Sequence, residues 1–220
     1  NRHISLTEKG IERAAFYAAR VRMDAAHLMY EGVDAVDARK DAYAIALYCS
    51  EATHRAMRAT DQIYRAKYQL RSQKQIMGSE VFSQLEDGRY SFPFVIYRER
   101  PEKGKLLSMA NKGFQQPCEL LVKNGQGSIV LRAKEMTEAS KLTGLTMSGW
   151  VSEVKYMQNK KFVSAEQLGD SFTIPAGHIL FQNIGSGTGQ VLHGSIRLKM
   201  QCSVGVVHMP ESTAFLTLML

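Results

Sequence analysis

From Val33 to Met77 the chain contains neither glycine nor proline. Within that run Ala35, Ala38, Ala42, Ile45, Cys49, Ala52, Ala56, Ala59, Ile63, Ala66 and Leu70 recur at alternating spacings of three and four. Such a row is one seam of a helix, and it predicts a helix over about 34–77. Alanine at a seam removes bulk, so a second helix can approach closely. That second helix is predicted just upstream. Ser5-Leu6-Thr7-Glu8 has the form of a capping box, and Ile11, Ala14, Ala18, Val21, Ala25 and Leu28 follow as a stripe. Gly32 suits a helix stop and Asp34 a new cap. Residues 1–78 are therefore expected to form an antiparallel helical hairpin, with Tyr43, Leu47, Met57 and Tyr64 beside the seam.

The two predicted helices are unequal. At 1.5 Å per residue, one of about 25 residues spans roughly 38 Å and the other roughly 66 Å. The overhang keeps its seam, so Ala52, Ala56, Ala59, Ile63, Ala66 and Leu70 are expected at an interface between subunits. It is also basic, with Arg65, Lys67, Arg71 and Lys74 and no acid between Gln62 and Ser79. These four are candidate contacts to a polyanion. The plainer account is that cations near a helix C-terminus complement its dipole.

Beyond Gly78 short apolar segments alternate with turn residues such as Asp87-Gly88, Asn124-Gly125-Gln126-Gly127 and Gly185–Gly189. Strands are predicted at 81–85, 90–97, 106–110, 119–123, 128–134, 145–157, 162–164, 178–184, 191–201, 204–208 and 214–220, and 135–142 reads as a short helix or a crossing loop. Many short strands predict an all-β sandwich or barrel over 79–220, with jelly-roll topology as one arrangement, and the chain as a whole is α+β. The last strand, with Phe215, Leu216 and Leu218, is apolar. As an edge it would invite strand addition from another subunit.

Bulk properties narrow the function. The net charge of +7 permits a polyanionic partner, though a basic solvated surface explains it as well. No apolar run approaches the ~20 residues of a membrane-spanning helix. Cys49, Cys118 and Cys202 form neither a CxxC pair nor zinc spacing, and whether Cys118 and Cys202 meet is open. The chain starts at Asn1 with no signal-like segment after it, which leaves a processed N-terminus as one expectation.

No catalytic signature stands out. Gly185-Ser186-Gly187-Thr188-Gly189 precedes a strand-like segment, whereas a phosphate loop needs a helix there. His178, His193 and His208 lie fifteen apart, without helical or alternating metal spacing. Ser152-Glu153-Val154-Lys155 fits SxxK only formally, because in a strand the serine and lysine point to opposite faces. Trp150 suits core packing or stacking, and the Arg98–Lys105 stretch reads as an exposed hairpin connection.

The sequence thus leads to a non-enzymatic, self-assembling structural subunit with no cofactor and no metal. Its expected partners are copies of itself and other structural proteins, and its expected setting is a bacteriophage virion (neck, tail or head decoration) or the host cytoplasm. The alternatives are a nucleic-acid adaptor using the end of the second helix, and an enzyme with a site around His178 and His193.

Overall fold

A computed structural model describes residues 5–102, 104–139, 146–186, 189–204, 207–208 and 211–220. The chain is α+β: helices over residues 8–69 precede a largely antiparallel β region. It divides into two compact units, Asn1–Arg65 and Ala66–Leu220.

The first unit is built on α1 (Glu8–Tyr30), α2 (Ala35–Tyr48) and α3, which starts at Glu51 and runs to Gln69. Thr7, rather than Ser5, caps α1 by accepting from the Gly10 N–H at 3.2 Å. Asp34 caps α2 from Val36 and Asp37, and those two N–H bonds hold its carboxyl below the usual range. Ala38 and Ala42 are buried as the seam predicts, whereas Ala35 is exposed, Ile45 is half-buried, and Ala46, outside the predicted row, is buried beside it.

The single helix expected over 34–77 is corrected at both ends of α3. Cys49 is extended, and Ser50 opens α3 by accepting from the Thr53 N–H at 3.3 Å. Serine at a cap breaks the run without any help from glycine or proline. Downstream the helix stops at Gln69, because Gln75–Met77 is needed as a strand.

α3 runs in the same direction as α1. Arg20 pairs with Glu51, His54 Nδ1 lies 3.6 Å from Asp24 Oδ1, and Tyr64 stacks on Tyr30 at 3.8 Å between ring centres. Tyr64 also donates to Glu31 at 2.6 Å, which together with burial pushes its hydroxyl up to about 12. Burial holds the Asp24 carboxyl above its ordinary range, and His54 opposes that effect. The contact between α1 and α3 is thus polar and aromatic.

The β region carries β1 (Gln75–Met77), α4 (Gly78–Phe82), β2 (Gly88–Phe92), β3 (Phe94–Glu102), β4 (Lys105–Leu107), a 3₁₀ turn (Met109–Lys112), β5 (Cys118–Lys123), β6 (Gln126–Arg132), β7 (Met136–Ala139), β8 (Thr146–Gln158), β9 (Lys161–Ser164), β10 (Glu166–Leu168), β11 (Ser171–Pro175), β12 (Leu180–Ile184), β13 (Val191–Val204), β14 (Val207–His208) and β15 (Ser212–Met219). One sheet runs β1-β12-β13-β15-β3-β4, with β8 also on β13 and β7 and β9 on β8. The other runs β10-β11-β6-β5-β2. Among the described residues no closed barrel forms, and the two sheets make a sandwich.

Alternation sets the core. Leu120, Val122, Ile129, Leu131, Phe172 and Ile174 are buried from the smaller sheet, and Phe94, Ile96, Leu192, Leu198, Leu216 and Leu218 from the larger. Phe82 of α4 links the layers. It meets Phe181 edge-on at 5.9 Å and lies over Gly127, where a Cβ would sit 2.4 Å from its ring. The segment expected as a strand from Val81 is this helix, and its first N–H groups bond to Ile179 and Gly177. Of the expected 106–110 strand only β4 remains, followed by the 3₁₀ turn. At 135–142 the described part is β7, and residues 140–142 lie outside the described residues.

Gly194 is required by the packing. A Cβ there would stand 2.5 Å from the buried Phe181 ring. Gly194→Ala is expected to lower unfolding free energy by about 1–3 kcal/mol in denaturant titration. An unchanged midpoint would mean that Phe181 does not fill that space.

Candidate functional site

Three irregularities in the larger sheet fall at one end of it. β15 pairs with β3 up to Ala214–Arg98 and no further. β3 and β4 lose register between Tyr97 and Glu102, where Pro101 has no N–H to give a ladder. β13 carries a bulge between Gln201 and Cys202 where it pairs with β8. Strands that diverge in this way open a space between them.

A cavity of about 450 Å³ lies there, lined by Arg98, Glu99, Arg100, Ser108, Met109, Ala110, Cys202, Ser212 and Thr213. The alternation that buries Phe94 and Ile96 carries on to Arg98 and Arg100. Guanidinium groups therefore follow where the apolar core runs out. Arg98 is oriented by donating from Nε to the Leu107 carbonyl at 3.0 Å. The remaining guanidinium nitrogens form a fork suited to a carboxylate or phosphate.

Glu99 is the acid of this lining. Its two oxygens are engaged by Arg197 and by the Thr213 hydroxyl, which uses its charge within the sheet. Ser108 accepts from the Ala110 N–H at 3.3 Å and donates its own N–H to Ile96, which fixes the 3₁₀ turn against β3. Met109, Ala110 and Cys202 give the cavity an apolar wall. Burial raises the Cys202 thiol, so it stands in the wall as a neutral group. The arrangement can hold an anion. Among the described residues its lining contains no histidine and no thiolate.

The residues singled out from sequence lie elsewhere. On α3, Ala52 and Ala56 face solvent and Ala59 and Ile63 are half-buried, whereas Ala66 and Leu70 are buried in the second unit. Of the last strand, Leu216 and Leu218 are buried in this chain's own core and Phe215 is partly exposed. β15 pairs with β13 on one side and β3 on the other, so its ladder is already occupied.

The basic strip is dispersed because the helix ends at Gln69. Arg65 pairs with Asp61 at 2.7 Å, and Lys67 is buried, which lowers its ammonium's pKa. Arg71 stacks over Tyr68 at 3.8 Å, and Lys74 follows in an exposed bend. The backbone of this stretch is pinned instead: Asn183 donates to the carbonyls of Leu70, Arg71 and Gln73, and Gln190 to that of Lys67.

His178 is half-buried, with its imidazole pushed toward the neutral form, and His193 lies on β13 opposite Gln182 and Met219. The His208 side chain lies outside the described residues, as do Gly187 and Thr188 of the glycine-rich loop. Among the described residues no three His, Cys, Asp or Glu side chains converge as a metal site. Cys49, Cys118 and Cys202 are free.

Sequence reasoning passed over Arg98 and Arg100. The available signal was the Phe94, Ile96, Arg98, Arg100 alternation running into Pro101, which marks a strand leaving its neighbours.

No family model matches the sequence, and no curated protein matches it. Among solved structures the chain is similar to the NEAT5 domain of IsdX2, a B. anthracis hemophore, in complex with heme. Identity is 16% over 60% of this chain and 96% of that one, with a TM-score of 0.37. A point variant of the same domain with heme gives 17%, 61%, 96% and 0.39. Likeness at this level assigns no ligand to this chain.

The expectation of a bacteriophage virion subunit is corrected. The two features that suggested a self-assembling structural role are absent in the form expected, since the long second helix is broken and the last strand is internal.

Cys118 offers a check on the core under the smaller sheet. It is buried on β5, and burial pushes its thiol up to about 12. In native protein at pH 8 it is expected to resist a thiol reagent that labels it at once after unfolding. Because the unfolded thiol ionises at lower pH, the stability tied to it is present below the unfolded pKa and is lost as pH rises toward 12. Rapid native labelling of Cys118 would contradict the placement.

Proposed function

We propose that the β region is a non-catalytic binding module for a small organic anion. The anion's carboxylate or phosphate sits on Arg98 and Arg100, and its apolar part lies along Met109, Ala110 and Cys202. One observation carries the reading: two guanidinium side chains line a cavity whose carboxylate, Glu99, is committed to Arg197 and Thr213. A volume of about 450 Å³ is within the usual range for a small-molecule pocket. The partly open geometry and the exposure of Arg100 argue for affinity in the micromolar to millimolar range, on the order of −4 to −8 kcal/mol.

Calorimetric titration of the whole chain with octanoate and octyl phosphate tests this. At least one should bind saturably with one-to-one stoichiometry, and octan-1-ol should bind at least tenfold more weakly. Arg98→Ala/Arg100→Ala should weaken binding of the anion by about tenfold or more, near 1.4 kcal/mol. Bound anion should also slow alkylation of Cys202. Equal binding of the alcohol and the anions, or an unaffected double variant, would remove the reading.

A further inference from the structure

The helical unit buries little large apolar surface of its own. Among its described residues the fully buried apolar side chains are Ala25, Ala38, Ala42 and Ala46. Leu6, Ile11, Phe16, Val36, Tyr43 and Leu47 are each about half or more exposed. The deficit is greatest on α1. From Glu8 to Ala19 only Gly10 and Tyr17 are partly covered, and every other residue is exposed.

Length explains why. α1 has 23 residues and α2 has 14, so α2 can accompany roughly 21 Å of a helix roughly 34 Å long. α3 begins at Glu51, which meets Arg20, and runs toward Tyr30 from there. Neither helix reaches the first three turns of α1. A helical arm of about twelve residues is marginal in water when nothing packs on it.

We infer that this arm is a self-association surface, on which the α1 arm of a second copy of the chain packs antiparallel. The row Glu8, Ile11, Ala15, Ala18, Arg22 has spacings of three, four, three and four, and all five residues are exposed. Its middle is apolar and small, which permits close approach. Its ends have opposite charge. Antiparallel pairing sets Glu8 of one arm toward Arg22 of the other, twice, about a two-fold axis. Glu12, also exposed, lies one turn beyond Glu8 and adds to the acidic end of the arm. Parallel pairing would instead set Glu8 beside Glu8 and Arg22 beside Arg22.

Net charge does not oppose the contact. Asn1–Arg65 contains ten basic and nine acidic side chains, whereas most of the chain's +7 belongs to the other unit. An arm about 18 Å long pairs over an area near the low end for stable interfaces, roughly 1,200 Å² in total. The dimer therefore forms at micromolar concentration rather than below it.

Sedimentation velocity of the full chain across about 1–200 μM tests the inference, with circular dichroism to verify that each variant keeps its fold. The wild type is expected to pass from monomer to dimer. Glu8→Arg should be monomeric throughout, and so should Arg22→Glu. An equimolar mixture of those two variants should recover the dimer, because each then presents the complement of the other. A wild type that stays monomeric overturns the inference and leaves the arm to another partner. An oligomer indifferent to the charge changes overturns it too, as does a mixture that fails to associate.

Discussion

Strand β13 is the constraint on which the β region depends. Its fourteen residues pair with β12 and β8 along one edge and with β15 along the other, so three segments far apart in sequence are aligned by one ladder. Gly194, Leu192, Ile196, Leu198 and Met200 give it an unbroken buried face. That face cannot slip by one residue without turning all of those side chains to solvent. Only past Gln201 does the register shift, and the cavity opens there. A sheet this strongly specified over most of its length can tolerate divergence at one end.

The outer face of β13 extends this order to charge. Arg197 joins Glu99 of β3, and Lys199 joins Glu211 just before β15, which also accepts from Lys155 of β8. These pairs are partly exposed and each contributes little to stability. Their consequence lies in the cavity, where Glu99 would otherwise stand beside Arg98 and Arg100 as a free carboxylate. Drawing Glu99 to Arg197 leaves the two arginines of the lining, among the described residues, without a competing carboxylate in that lining.

Much of the architecture could be read from residue pattern. The alanine row locates the buried Ala38 and Ala42, and the strand-like segments place most of the sheet. What the pattern hides is local. Ser50 is a cap only because the chain turns there, and the same serine inside a helix would look no different. Past Ser50 the alanine row continues in sequence, yet its face turns outward, since α3 meets α1 through His54 and Tyr64. The site was hidden for a related reason. A mixed-charge stretch looks like a solvated loop until Pro101 and the loss of pairing past Arg98 show that strands separate around it.

The central claim is that this divergence creates a place for an anion, and amide shift mapping on ¹⁵N-labelled full chain tests it most directly. Titration with octanoate should move the amides of Arg98–Arg100, Ser108–Ala110, Cys202 and Ser212–Thr213 together along one binding curve. Shifts scattered over the basic surface without saturation, or centred on the smaller sheet, would contradict the account.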